Sequence, residues 1–110
     1  MIKTISLLTR KDGLSHDQFM AHWVETHAPL AYAVPGLRRY VQSHLIDEAY
    51  LYAEPRYDGV AQLWFDSADA MREAFDSPDG RMLAADGPKF VDTAALRYFV
   101  AEEHVVVPRK

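Results

Sequence analysis

The chain has 110 residues, of which 49% are hydrophobic and 25% charged, and its net charge is −4. This length suits one domain whose core needs neither disulfides nor a metal. The mild net acidity and the scattered basic residues argue against binding to nucleic acids or anionic membranes, because binding to either requires a basic patch. The absence of cysteine excludes disulfides, thiolate metal sites and cysteine nucleophiles, and it fits a cytoplasmic location. The apolar stretches are all shorter than the roughly 18 residues that cross a bilayer.

A strand and a capped helix are predicted first. Ile2 to Thr9 is short, apolar and rich in β-branched residues, and a Lys-Asp-Gly turn follows it. Ser15 and Gln18 form the S-x-x-Q pattern of a capping box. We therefore expect a helix that begins at about His16.

One face of this helix combines apolar side chains with imidazoles. Pro29 removes a helical N–H and disfavours helical geometry at Ala28, so the helix should kink or restart there. The residues that a helical projection places on this face are His16, Phe19, Met20, Trp23, Thr26, His27 and Leu30.

The rest of the chain alternates between strand and helix signals. Along the second predicted strand, Tyr40, Gln42 and His44 share one face, which points either to the helices or into a barrel. The predicted elements are strand 37–46, loop 47–58, strand 59–65, a helix from Ser67 to about Phe75, a break at 77–80, a helical turn over 81–85, and strand 93–100, which the tail 102–107 extends.

This β-α-β-β-α-β order predicts an α+β, ferredoxin-like fold for residues 1–110 as one domain. Its four-stranded antiparallel sheet carries both helices on one face. Because several strands are apolar on both faces, the uncovered face would be a large apolar patch on a monomer. We therefore expect a homodimer that packs sheet against sheet.

Three segments resemble the EthD family of the dimeric α+β barrel group. They are F-x-x-x-W-x-x-x-H-A-P-L at residues 19–30, P-G-L-R-R-Y at 35–40 and Y-D-G-V-A-Q-L-W-F at 57–65. The resemblance implies protomers whose sheets pair into a barrel, with a pocket inside each subunit. The family includes a muconolactone methylisomerase and polyketide dehydratases, and related barrel families include cyclases, cofactor-free monooxygenases and haem-handling proteins. Fold therefore leaves the chemistry open.

The resemblance also points to particular residues. The active-site histidine and tyrosine of the methylisomerase match His27 and Tyr40. Leu63 stands where that enzyme has a cysteine, so the same set of groups is incomplete here.

Each candidate catalytic residue has a functional and a structural interpretation. His27 is a general acid or base in an apolar pocket, or a helix histidine bonded to the backbone near Pro29. Tyr40 is a donor to a substrate oxygen, or a half-buried strand residue. Asp58 holds the imidazole in one tautomer, or forms the turn before Gly59.

The candidate substrate-binding residues are His44, Trp23, Leu63 and Phe65, for which core packing and an exposed strand edge are the structural interpretations. We expect His16 and His22 at the surface or a helix end. His22 and His27 are five residues apart, which places them on different faces of an α-helix and argues against a shared metal site. The sequence holds no H-E-x-x-H and no two histidines at i, i+4, so we expect no metal.

The sequence thus predicts a cofactor-independent acid–base enzyme of isomerase, dehydratase or cyclase type. Its substrate would be a hydrophobic aromatic, polyketide-like or lactone-like small molecule. Two alternatives stay open: a non-catalytic binding protein for an apolar metabolite, and a cofactor-free monooxygenase or haem-handling protein.

Overall fold

A four-stranded antiparallel sheet organises the computed structural model, which describes residues 1–52 and 54–110. The strands are β1 (Ile2–Leu8), β2 (Arg39–His44), β3 (Gly59–Phe65) and β4 (Arg97–Glu102). Their order in the sheet is β2-β3-β1-β4, and the predicted ferredoxin-like α+β fold is confirmed. Thr4 at the centre lies opposite Leu63 on one side and Val100 on the other.

The first helical segment changes its winding along its length. The predicted capping box is present, since the Ser15 hydroxyl accepts from the Gln18 N–H and the Gln18 side chain accepts from the Ser15 N–H. Four pieces follow without interruption: α1 (His16–Ala21), a π-helix (His22–His27), α2 (Ala28–Leu30) and a 3₁₀ turn (Ala31–Ala33).

The second helical segment is longer than predicted. It consists of α3 (Ala68–Asp76) and α4 (Pro78–Asp86), with Ser77 ending one helix and capping the next. The predicted break at 77–80 is therefore wrong beyond Ser77. Pro occupies the first position of α4, where its missing N–H costs nothing, and the Ser77 hydroxyl accepts from the Gly80 N–H. A 3₁₀ turn, Gly87–Lys89, continues from α4.

The last strand starts later than predicted. The Asp92 carboxylate accepts from the N–H groups of Ala94 and Ala95, and this turn occupies the start of the predicted strand 93–100. The tail does not extend β4, which ends at Glu102. Between β2 and β3 lies one further 3₁₀ turn, Asp47–Tyr50.

The helices cover one face of the sheet and divide its core into two clusters. The first holds Leu8, Ala61, Phe19, Trp23, Phe90 and Val91. The second holds Leu63, Phe65, Ala31, Val34, Ala74 and Leu83. Tyr40, Gln42 and His44 also point to this face, because they pair with Leu63, Ala61 and Gly59.

The opposite face is partly apolar and partly charged. Phe99 is about half exposed there. Trp64 on the same face is buried, because Lys3 and Arg39 lie over its ring and Glu103 accepts from its indole N–H. Ile5, Leu7, Val41 and Val60 complete the apolar part of this bare face.

Across the described ranges, none of the helices combines the length and apolar character that crossing a membrane requires.

Candidate active site

The π-helix brings two histidines to the same side of the first helical segment. The Ala28 N–H donates to the Trp23 carbonyl, five residues back. Pro29 contributes to this widening, since it has no N–H and its ring clashes with the carbonyl four residues before it. Residues five apart diverge by about 140° on an α-helix, but the wider turn places His22 and His27 together. The expectation that they lie on different faces is therefore wrong.

Both imidazoles bind one buried carboxylate. Oδ2 of Asp86, the last residue of α4, lies 2.7 Å from Nδ1 of His27 and 2.9 Å from Nε2 of His22. The Asp86 side chain is only 4% exposed. Because a carboxylate can only accept, both ring nitrogens donate. Neutral His27 therefore carries its proton on Nδ1, which leaves the Nε2 lone pair free.

Phe90 holds the two rings in place. Its ring stacks on His22 with a centroid distance of 4.7 Å and tilts against His27 at 4.9 Å. Phe90 is fully buried and also contacts Phe19. The Asp86 carboxylate and the Phe90 ring thus restrict both imidazoles.

The electrostatics favour a neutral His27 beside an ionised Asp86. Burial lowers the pKa of His27, outweighing the hydrogen bond and charge of Asp86, which raise it; a charge on His22 lowers it further. Burial works to raise the pKa of Asp86, but the hydrogen bonds from His27 and His22 hold it below its ordinary value. His27 at neutral pH is therefore a base with a charged partner behind it.

His27 lines a cavity of about 230 Å³ inside the first core cluster. Small residues create this space: Ser6 and Ala61 on the sheet, and Ala84 and Gly87 at the end of α4. Three exposed residues, Ala84, Pro88 and Thr93, form its rim, so the cavity opens to solvent. Its remaining lining residues are Leu8, Trp23, Phe90, Val91 and Leu96.

Chemically, the cavity combines one titratable group with apolar walls. Within residues 1–52 and 54–110, Nε2 of His27 makes no protein hydrogen bond, and no Lys, Arg, Asp or Glu lines the cavity. Ser6 and Thr93 add hydroxyl groups that can donate to a ligand oxygen. This arrangement suits transfer of a proton to or from a bound neutral molecule.

Of the predicted site residues, the structure brings Trp23 and His27 together at the cavity. Tyr40 lies one row farther along the sheet, where its hydroxyl accepts from Nε2 of Gln42 at 2.8 Å. Burial raises the pKa of Tyr40. Tyr40 packs against both core clusters and does not line the cavity.

Asp58 lies in a different polar network and does not contact His27. Its carboxylate accepts from the guanidinium of Arg10 at 2.7 Å, from the Arg10 N–H at 2.8 Å and from the Tyr50 hydroxyl at 2.9 Å. The predicted pairing of Asp58 with His27 is thus replaced by that of Asp86. Asp58 ties the loop before β3 to the end of β1.

The other predicted binding residues lie outside the cavity. His44 is exposed at the end of β2, stacks on Trp23 at 4.4 Å and bonds Gln42. Because this face points to the helices, the expectation of an edge position for His44 is met. Leu63 and Phe65 are buried in the second core cluster.

Sequence reasoning missed Asp86, His22 and Phe90. The only local signal for His22 was a proline two residues after His27, which can widen a helical turn. Asp86 is 59 residues from His27, and no spacing rule connects them. In the described part of the chain, no three His, Asp or Glu side chains are arranged to hold a metal ion.

Residues 11–94 match the model of the EthD domain. The chain belongs to the EthD family. A Rhodococcus erythropolis relative, named an uncharacterized 11.0 kDa protein in the thcB-thcC intergenic region, is 30% identical over 88 residues, covering 80% of this chain and 84% of the relative. A Pseudomonas reinekei relative named 4-carboxymethyl-4-methylbutenolide mutase is 28% identical over 110 residues, covering 96% of this chain and all of the mutase.

Solved structures share the fold. An EthD family protein from Bacillus halodurans superposes with a TM-score of 0.79 at 24% identity, covering 94% of this chain and 99% of that one. A dimeric ferredoxin-like protein from Thermobifida fusca gives 0.70 at 21% identity, covering 91% and 88%. At these identities the likeness concerns the fold.

Proposed function

We propose that this EthD protein is a cofactor-independent acid–base enzyme, of isomerase or lyase type, whose acting group is His27. The observation that carries the proposal is the orientation of one imidazole. Its Nδ1 donates to a buried carboxylate, and the same ring lines an apolar cavity with Nε2 unbonded. A mutase among the relatives supports the isomerase class.

The proposed step is a proton transfer at carbon. Nε2 of His27 accepts a proton from a carbon beside a carbonyl group, and the electron pair of the broken C–H bond moves onto the carbonyl oxygen as an enolate. The imidazolium returns the proton to another carbon, or to a leaving oxygen. Asp86 stabilises the imidazolium through Nδ1, and such assistance is worth on the order of 10²–10⁴ in rate.

The cavity favours a compact and uncharged ligand. A cavity of about 150 Å³ holds benzene, so a cavity of about 230 Å³ suits one or two rings. A carboxylate would lose its hydration in this cavity without a lysine or arginine to replace it. We therefore propose neutral cyclic ketones or lactones as the substrate class.

Association through the bare sheet face completes the proposal. Phe99 and its apolar neighbours face solvent on a single chain, and burying them against a second copy would remove that area from water. The Thermobifida fusca protein of similar fold is named as dimeric. We therefore propose a homodimer.

A non-catalytic binding protein is the second candidate. The observation that favours it is the position of Tyr40, whose hydroxyl lies outside the cavity. Within residues 1–52 and 54–110, no tyrosine lines the cavity beside His27, so no phenol there can stabilise an enolate.

Hydrogen exchange at carbon tests catalysis with simple compounds in place of the natural substrate. Small cyclic ketones and butenolides are incubated in D₂O with the protein, and NMR follows the loss of the proton beside the carbonyl. We expect exchange with at least one compound, and a loss of about 10²-fold or more in His27→Gln. His104→Gln, in the exposed tail, should match the wild type. Saturable binding without exchange would favour the binding protein.

A further inference from the structure

His22 has no place in the proton transfer proposed above, yet it is built into the same cluster. It does not line the cavity, and its side chain is 24% exposed, against 15% for His27 and 4% for Asp86. Hydrogen bonds link the three groups in the order His27, Asp86, His22, and His22 is the most exposed of them. Nothing in the basic chemistry of His27 and Asp86 requires this third member.

The two histidines share one oxygen atom of Asp86. His27 Nδ1 at 2.7 Å and His22 Nε2 at 2.9 Å both donate to Oδ2. A carboxylate with a single donor can rotate about its last bond, whereas a second donor on the same oxygen fixes its direction. His22 is itself fixed by its stack on Phe90.

The single negative charge of Asp86 also limits how many of its histidine partners can be protonated at once. One imidazolium balances the charge of Asp86, but two imidazolium rings would leave a surplus positive charge beside a buried carboxylate. Lys89 is a further charged group near Asp86, with its Nζ 3.9 Å from Oδ1. The Lys89 side chain is 69% exposed, so water screens its contribution.

We propose that His22 is a positioning residue of the acid–base site, which aims Asp86 at Nδ1 of His27 and, when it carries a proton, opposes a second proton on His27. Its importance for turnover rests on the proposed function, but its coupling to His27 does not. Protonation of the two rings is then a property of the pair.

An NMR titration of histidine-labelled protein tests this coupling without any ligand. His22→Phe keeps the aromatic stack on Phe90 and removes the donor and the charge. We expect the titration midpoint of His27 to rise by about 1 pH unit in this variant, because a competing donor and a like charge are both lost. The control is His16→Phe, which replaces another imidazole that contacts an aromatic side chain, here edge-to-face with Tyr50, and leaves Asp86 untouched.

A second variant separates positioning from charge and serves if His22→Phe does not fold. His22→Gln can still donate to Asp86 but cannot gain a proton. We expect it to retain the Nδ1–H tautomer of His27, seen in the ¹⁵N shifts, while its His27 midpoint also rises. An unchanged His27 midpoint in the folded variants would overturn the proposal.

Hydrogen exchange at carbon in D₂O tests the proposed function separately from this coupling. If the protein catalyses that exchange, the pH dependence of the rate should shift to higher pH in His22→Phe, together with the titration midpoint of His27. If the His22 variants shift the His27 midpoint but the wild-type protein catalyses no hydrogen exchange in any ligand, the catalytic function is refuted. The coupling of His22 to His27 would still stand.

Discussion

Replacing Asp86 by asparagine tests the acid–base site most directly. Asparagine keeps the shape of the side chain and one carbonyl oxygen, so the Nδ1–H of His27 can still donate a hydrogen bond to it. The negative charge behind the imidazole is lost. Because Asp86 is 4% exposed, little solvent is present to compensate.

The expected change in the pKa of His27 follows from replacing a charged hydrogen-bond acceptor by a neutral one. A hydrogen bond to a charged group contributes about 1.5–3 kcal/mol and a neutral one about 0.5–1.5. The charged form of His27 therefore loses about 1–1.5 kcal/mol of stabilisation, and one pKa unit corresponds to about 1.4 kcal/mol. We expect the pKa of His27 to fall by about 1 unit in Asp86→Asn.

The assay is an NMR titration of the histidine ring signals, assigned with the histidine variants. Asp58→Asn is the matched control, because Asp58 is equally buried but bonds Arg10 and Tyr50. It should leave the pKa of His27 unchanged. A His27 pKa that stays constant or rises in Asp86→Asn would refute the account of this carboxylate, as would a fall of equal size in Asp58→Asn.

Three further outcomes are expected. Gly59→Ala should lower the free energy of unfolding by about 1–3 kcal/mol, measured by urea denaturation, because the new Cβ would lie 2.5 Å from the Trp23 ring. Folding stability should fall as the pH drops below about 6.5, since the folded pKa of His27 lies below its unfolded value and protons favour the unfolded state; His27→Gln should flatten that slope. Phe99→Asp should give a monomer in analytical ultracentrifugation, whereas Tyr98→Asp, equally exposed on the other face, should not.

The order of the elements was predictable because its signals are local. The capping box at Ser15 and the limits of β3 follow from side chains within a few residues. The errors arise where one side chain changes the local backbone. Asp92 turns the chain at the predicted start of β4, and Ser77 caps a helix that Pro and Gly would otherwise argue against.

The sequence pointed to the candidate base, His27, but not to the carboxylate that bonds it. His27 stands out in the sequence because a histidine on an apolar helix face is unusual. The sequence predicts Asp58 as the partner carboxylate, whereas Asp86 lies on another element, 59 residues from His27. Only the packing of α4 against the first helical segment brings Asp86 to the imidazole. A projection with α-helical winding misplaces His22, because the segment that holds it forms a wider, π-helical turn.

The position of Tyr40 bears on the type of reaction that this site can support. Tyr40 pairs with Leu63, whereas Gln42 pairs with Ala61 in the row of the sheet that lines the cavity. Gln42 donates to the Tyr40 hydroxyl and to the Trp23 carbonyl, and neither Gln42 nor Tyr40 lines the cavity. A ligand beside His27 therefore meets the hydroxyls of Ser6 and Thr93 rather than the phenol. Within the proposed function, this arrangement favours a single base that moves a proton between two nearby atoms over a mechanism with His27 and Tyr40 on opposite sides of the substrate.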